Sequence, residues 1–153
     1  MKNFILDTFI LLGGSICWKD SAEPVCWRLR NDGRHYINSK AGVIYRYRAL
    51  WCLTHGELPV SIDHIDGDPS NDSIENLRCA DQSQQNANRK AYKNNKLGTK
   101  GVSYWPSRGV YRAEIAWRGK RYRLGYFATA DEASMAYTKA AKELHKEFAA
   151  EAS

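Results

Sequence analysis

The stretch that decides the fold is Ile62-Asp63-His64-Ile65-Asp66-Gly67-Asp68, followed by Asn76-Leu77-Arg78 and by Gln84-Gln85-Asn86-Ala87-Asn88-Arg89. The first segment predicts a short strand that runs into a loop rich in Asp, Asn, Gly and Pro. The second indicates another short strand, and the third a polar helix that Asp81 or Ser83 could cap. An Asp-His pair is thus expected at the end of one strand, with amide side chains on a helix farther along the chain.

These residue types suit phosphodiester hydrolysis. The phosphorus centre carries negative charge and its leaving oxygen is poor, so hydrolysis needs a base for water and a cation for the developing charge. An imidazole titrates near neutrality and can act as such a base. A carboxylate is a ligand that hard divalent cations prefer.

The same three segments resemble the HNH endonucleases of phages and homing introns, whose pattern is D-H-x-x-G, then N-L-R, then Q-N. The resemblance covers roughly residues 14–90 and implies a ββα-metal module. By this resemblance Asp63 is a metal ligand and His64 is the general base. Asn76 would hold the loop and His64 in place without binding the metal. The cofactor implied is one divalent ion, Mg²⁺ with Mn²⁺ as the alternative.

The metal ligand on the helix departs from the family pattern. Spacing without a gap leads to Gln85, whereas the expected residue type is Asn86, one position later. One residue turns a helical side chain by about 100°, so both cannot face one ion. Asn86 is favoured, given a local adjustment, and Gln85 stays open as the ligand. Tyr47 replaces a family His upstream. If the metal site is lost, the alternative is a DNA-binding regulatory protein with an inactive HNH site.

The chain before this motif favours short strands up to about residue 46, with a hairpin over 35–45 and a helix over 46–54 that Gly56 ends. The cysteines are Cys17, Cys26, Cys52 and Cys79, with no C-x-x-C pair, so reduced thiols are expected; a zinc site built from all four stays open. His35, His55 and His145 lie outside the motif and are expected to be surface or packing residues.

The carboxyl-terminal third predicts a second module. Residues 111–117 alternate apolar and polar side chains, Gly119 and Lys120 form a turn, and 121–124 alternate again. Thr129 and Glu132 form a capping box before an amphipathic helix. The overall prediction is an α+β chain: a ββα-metal HNH nuclease module at 1–93, a linker at 94–100, and at 101–150 a three-stranded antiparallel sheet packed on one α-helix.

Residues 101–149 resemble the DNA-binding domain of plant APETALA/ethylene-response factors (ERF), through Gly101-Val102, Tyr111-Arg112-Ala113-Glu114-Ile115, Gly119-Lys120-Arg121 and Leu124-Gly125-Tyr126-Phe127. Between 96 and 126 eight Lys and Arg residues stand against Glu114 alone, although the whole chain carries only +6. The resemblance and this basic block predict contact with double-stranded DNA through one face of the sheet. The predicted DNA-binding residues are Lys100, Trp105, Arg108, Arg112, Arg118, Arg121 and Arg123. Glu114 is either a base contact or a partner of Arg112.

No leader sequence and no membrane partner are expected, because Asp7 interrupts the apolar start of the chain. The resemblance implies the cytoplasm of a phage-infected or bacterial cell. One HNH site cuts one strand, so a double-strand break needs a dimer or two successive events; a monomer and a dimer both stay open.

Overall fold

The computed structural model describes residues 1–89, 95 and 97–146. Its chain divides into two compact units, Met1–Cys79 and Ala80–Ser153. The division precedes the helix of the predicted nuclease motif, whereas the sequence analysis placed the module boundary after residue 93. Residues 90–94 and 96, which include part of the predicted linker, lie outside the described residues.

The first unit begins with helix α1 (Lys2–Thr8) and the hairpin of β1 (Phe9–Leu12) and β2 (Ser15–Trp18). The sequence analysis predicted only strands before residue 46 and missed α1. A seven-residue helix has little stability of its own. Burial holds it instead, since Ile5 and Phe9 lie in the core with Ala49 and Cys52.

A three-stranded antiparallel sheet follows, with β3 (Arg28–Leu29), β4 (His35–Ser39) and β5 (Gly42–Tyr45) in that order. It leads directly into helix α2 (Arg46–His55). Gly56 ends this helix in the left-handed region, at φ 69°, where glycine is the favoured residue. The predicted hairpin and helix are therefore confirmed.

The predicted catalytic hairpin pairs β6 (Ile62–His64) with β7 (Leu77–Cys79) in antiparallel register. A 3₁₀ turn, Ile74–Asn76, precedes β7, so Asn76 of the predicted second strand lies in this turn and the strand starts at Leu77. Ile62 and Leu77 pack with Trp51 of α2 in a small core of their own. The pleat then leaves Asp63 and Arg78 on the opposite face of the hairpin.

The second unit starts with helix α3 (Gln82–Asn88), which Asp81 and Gln84 begin with a capping box. Strands β8 (Val102–Trp105), β9 (Val110–Trp117) and β10 (Lys120–Phe127) form an antiparallel sheet with β9 in the centre. Helix α4 (Ala130–His145) packs on the sheet through its apolar face. This confirms the predicted sheet on one helix, and the chain is α+β.

Helix α3 packs inside the second unit. Ala80 and Ala87 are buried in a cluster that includes Trp117 at the end of β9. No helix among the described residues is long and apolar enough to cross a membrane.

Candidate active site

Asp63 and Arg78 form a largely buried ion pair across the β6–β7 hairpin. The two residues are cross-strand partners, and only 12% and 15% of their side chains are exposed. The Arg78 guanidinium donates from Nε at 3.1 Å and from Nη2 at 2.9 Å to one carboxylate oxygen, Asp63 Oδ2. A cation bound by Asp63 would therefore have Arg78 as a neighbour.

His64 ends β6 and is almost buried, with 9% of its side chain exposed. Its Nε2 lies 2.9 Å from Oδ1 of Asp72. On another side the ring meets Tyr47 edge-on, with centroids 5.2 Å apart. Burial raises the pKa of Tyr47, so its phenol stays neutral near pH 7. The imidazole is thus held by a carboxylate and an aromatic ring.

The Asp72 carboxylate is fully buried and gathers three basic side chains. Besides His64, its Oδ2 lies 3.6 Å from Nδ1 of His35 and 3.7 Å from Nη1 of Arg46. Apart from His64, the sequence analysis assigned no function to this group: Asp72 looked like one more residue of a polar loop, and His35 was expected to be a surface or packing residue. Its one sequence signal is its place between the two halves of the motif.

Asn76 holds the loop between the strands. Its side chain donates to Oδ1 of Asp66 and to the carbonyl of Asn71, and accepts from the Asp66 amide. Burial acts to raise the pKa of Asp66, but hydrogen bonds from Asn71, the Asp68 amide and Asn76 outweigh it and lower the pKa. Asn76 thus takes the loop-holding part of its predicted role.

The two candidate ligands on α3 differ in exposure. Gln85 is half-buried, whereas Asn86 is exposed and its side-chain oxygen accepts from Gln82 at 3.3 Å. Three residues after Gln85, and hence on the same side of the helix, Asn88 is buried. Gln85 therefore lies on the covered side of α3 and Asn86 on the solvent side.

Lys100 caps the carboxyl end of α3. Its ammonium donates to the carbonyl oxygens of Asn86, Ala87 and Arg89, groups that a helix end leaves without partners. Burial, and to a lesser extent the charge of Arg89, lower the pKa of Lys100 to about 8. Lys100 was predicted to bind DNA; within the second unit it anchors a helix.

Three of the predicted DNA-binding arginines surround Glu114 on one face of the sheet. Arg112, Arg121 and Arg123 lie 3.7, 4.0 and 3.5 Å from its carboxylate. The register supports a common face, because Arg123 is the cross-strand partner of Glu114. Glu114 is thus a partner of Arg112, which was one of the two predictions for this residue. It is also a partner of Arg121 and Arg123.

An aromatic group continues this face. Trp105 lies 5.5 Å from Tyr126 between ring centroids, and the Arg108 guanidinium is 4.6 Å from the Trp105 ring. Arg118, in the turn between β9 and β10, lies 5.5 Å from the ring of Trp117. Two predicted contacts, Trp105 and Arg108, are therefore stacked together.

Among the residues that the structure describes, no group of three or more His, Cys, Asp or Glu could hold a metal ion. The cysteines are all free: Cys17 and Cys52 are buried, and Cys26 and Cys79 are exposed. The four-cysteine zinc site left open by the sequence thus has no support in this part of the chain.

Residues 45–87 match the family model described as HNH endonuclease. The matched segment contains α2, the β6–β7 hairpin and nearly all of α3. This segment of the chain is therefore similar to HNH endonucleases.

Among its relatives is Protein 3.8 of Escherichia phage T7, which is 33% identical over 106 residues, 68% of this chain and 87% of that protein. An uncharacterized HNH endonuclease of Acanthamoeba polyphaga mimivirus is 30% identical over 127 residues, 81% of this chain and 65% of that protein. An alignment of 127 residues exceeds the first unit, so this likeness extends into the second. No solved structure matches the chain.

Proposed function

We propose that this protein is a metal-dependent DNA endonuclease of the phage and homing type, targeted by its carboxyl-terminal sheet. The observation that carries the proposal is the Asp63-His64 pair at the end of β6, inside the segment that matches the HNH family. Asp63 forms a largely buried ion pair with Arg78 and His64 forms a buried hydrogen bond with Asp72, and burying such polar groups is costly without a chemical role.

In the proposed reaction His64 takes a proton from water as the water oxygen attacks phosphorus. The bond from phosphorus to the leaving sugar oxygen then breaks, and that oxygen takes up a proton. Asn76 supports this step indirectly, because its hydrogen bonds to Asp66 and Asn71 fix the loop that joins the two strands. Tyr47 restrains the imidazole ring.

Asp63 would hold the divalent ion, and the resemblance to HNH endonucleases implies an amide side chain of α3 as a further ligand. The donor set consists of oxygens and includes one carboxylate, which fits Mg²⁺, an ion that keeps several waters and binds few protein ligands. When bound, the ion would stabilise charge on the phosphate and on the leaving oxygen. Of the two amides we favour Gln85, because Asn86 is exposed and already accepts from Gln82.

The second unit would supply DNA affinity in the manner of an ERF-type sheet. Its exposed face carries Arg112, Arg121 and Arg123, with Trp105 and Arg108 stacked beside them. Arginine forks suit both phosphates and guanine edges, and a sheet can enter the major groove. Double-stranded DNA is therefore the substrate class that we assign.

The test is cleavage of supercoiled plasmid DNA by the full chain across a Mg²⁺ series, with chelator as the blank. We expect nicked circles that require the ion, and their loss in His64→Ala with DNA affinity retained. His55→Ala, which changes a histidine of α2 outside the proposed site, is the matched control and should still cut. Plasmid cleavage by His64→Ala at the wild-type rate would refute the assignment.

A second candidate function is DNA binding without cleavage. The Asp63–Arg78 pair favours it, because an arginine already neutralises the carboxylate that a metal ion needs. DNA binding by the wild-type chain with no cleavage in Mg²⁺ or Mn²⁺ would support this candidate over the nuclease.

A further inference from the structure

We infer that Asp72 is a positioning residue that fixes the tautomer of His64, so that Nδ1 is the basic nitrogen of the ring. The inference rests on the proposed nuclease function and names a residue that acts through the catalytic histidine.

The hydrogen bond itself sets the tautomer. Asp72 Oδ1 lies 2.9 Å from His64 Nε2, and the carboxylate side chain is completely buried. An ionised carboxylate only accepts hydrogen bonds, so Nε2 must carry the proton. A neutral imidazole has one protonated nitrogen, which leaves Nδ1 as the nitrogen with a lone pair.

Two further basic side chains lie beside the Asp72 carboxylate. Arg46 lies 3.7 Å from Oδ2 and His35 lies 3.6 Å from it, both too far for a good hydrogen bond. A guanidinium always carries its charge, so Arg46 places a permanent cation beside this buried carboxylate.

A purely loop-forming role does not account for this carboxylate. The neighbouring acids serve the loop: Asp66 Oδ1 accepts from the Asp68 amide, and Asp68 Oδ1 accepts from Ser70. Asp72 differs, because its carboxylate contacts basic side chains of β4, α2 and β6. Its carboxylate thus acts on the histidine, while other residues shape the loop.

The test combines single-turnover cleavage with a spectroscopic measurement. Asp72→Ala should lower the rate at saturating DNA and Mg²⁺ by about 10–100-fold, as for removal of an orienting partner, with DNA affinity unchanged. Asp72→Asn keeps a hydrogen-bond acceptor in a side chain of the same shape, so its cleavage rate should fall less than that of Asp72→Ala. Asp68→Asn is the loop control and should cut at close to the wild-type rate.

The ¹⁵N resonances of the His64 ring, assigned by comparison with His64→Ala, report the tautomer at alkaline pH without any need for cleavage. We expect the Nε2–H form in the wild-type protein, a weaker preference for it in Asp72→Asn, and loss of this preference in Asp72→Ala. An Nδ1–H ring in the wild-type protein, or full cleavage by Asp72→Ala, would overturn the inference. If the wild-type chain shows the Nε2–H ring but cuts no DNA, the nuclease proposal fails and the Asp72–His64 relationship stands.

Discussion

Arg78 directs two N–H groups of its guanidinium, from 3.1 and 2.9 Å, at the same carboxylate oxygen of Asp63. The pair crosses a short hairpin and both side chains are largely buried, so solvent screens it less than a surface pair. Any cation that binds Asp63 meets a positive charge on the neighbouring strand.

Replacing that charge should therefore ease metal binding. In Arg78→Met we expect a lower Mg²⁺ concentration for half-maximal plasmid cleavage than in the wild-type protein, because the repulsion is removed. Arg34→Met, which removes an arginine from an exposed pair with Asp32, should leave the metal requirement unchanged. A higher Mg²⁺ requirement in Arg78→Met would mean that Arg78 orients Asp63 for the ion.

The ligand on α3 can be identified by paired substitutions. Gln85→Ala should raise the Mg²⁺ requirement or abolish cleavage, whereas Asn86→Ala should have little effect because Asn86 lies on the solvent side. Cleavage rates across a metal series separate the two. The reverse order of effects would restore Asn86 as the ligand, and no effect from either would remove α3 from the metal site.

Glu114 should weaken DNA binding by neutralising the arginines around it. In Glu114→Gln we expect tighter DNA binding and a steeper dependence on salt, because up to three guanidinium groups are released for phosphate contact. Charge reversal at Arg112, Arg121 or Arg123 should do the opposite, with the salt slope falling by about one per lost phosphate contact.

Fluorescence anisotropy with labelled duplex DNA across a salt series measures both quantities. Glu143→Gln, an exposed position on α4, controls for the change in net charge. Weaker binding by Glu114→Gln on one sequence only would instead mark Glu114 as a base contact.

The stability of the protein should depend on pH through Lys100. Its pKa is about 8 in the folded protein, against an ordinary value of 10.5, so between these values the unfolded chain binds more protons. Stability therefore rises with pH in this window. Urea unfolding at successive pH values should show the rise in the wild-type protein and a smaller one in Lys100→Met; equal slopes would contradict the assignment.

Tyr137 should make the stability of the protein fall as the pH rises, which is opposite to the effect of Lys100 and occurs at higher pH. Burial raises its pKa to about 12 from an ordinary value of 10, so between these values the folded protein keeps a proton that the unfolded chain has released. Stability then falls as the pH rises. Tyr137→Phe removes the titrating group, and its unfolding free energy should fall less steeply above pH 10 than that of the wild-type protein.

Gly101 should be intolerant of a side chain. Its φ is +73°, and a Cβ at this position would clash with the Tyr137 ring and with the carbonyl of Glu114. We expect Gly101→Ala to cost at least about 2 kcal/mol of unfolding free energy, from backbone strain and overpacking together. Gly119→Ala has a similar φ of +75° and open space around it, so it should show the strain alone. If Gly101→Ala and Gly119→Ala lost the same unfolding free energy, a clash of the new Cβ at position 101 would be excluded.

The sequence predicted the parts of this protein that have local signals. The alternation over 111–117 and the capping box of Thr129 and Glu132 depend only on residues close together in the sequence. The structure has the central strand β9 and helix α4 at these positions. Gly56 likewise marks the end of α2. Helix α1 was missed because packing of Ile5 and Phe9 stabilises it, which no local pattern reports.

The candidate site residues came from the resemblance to HNH endonucleases, and their roles stay predictions. Asp72 carries no such signal, since its partners His35 and Arg46 come from other parts of the first unit. Lys100 was assigned to DNA by its charge, and only its contacts with the end of α3 reveal another task. Charge alone does not tell an anchoring lysine from one that contacts phosphate.

The division of the chain before Ala80 has a consequence for building chimeric nucleases. A designer who wishes to retarget this enzyme would exchange the carboxyl-terminal module for that of a relative, with the join placed in the polar stretch after residue 89. Such a graft would separate α3 from Lys100 and Trp117, and so from its capping and packing partners. A join between Cys79 and Ala80 transfers α3 with its supporting residues, and Gln85 is then inherited from the donor of the carboxyl-terminal module.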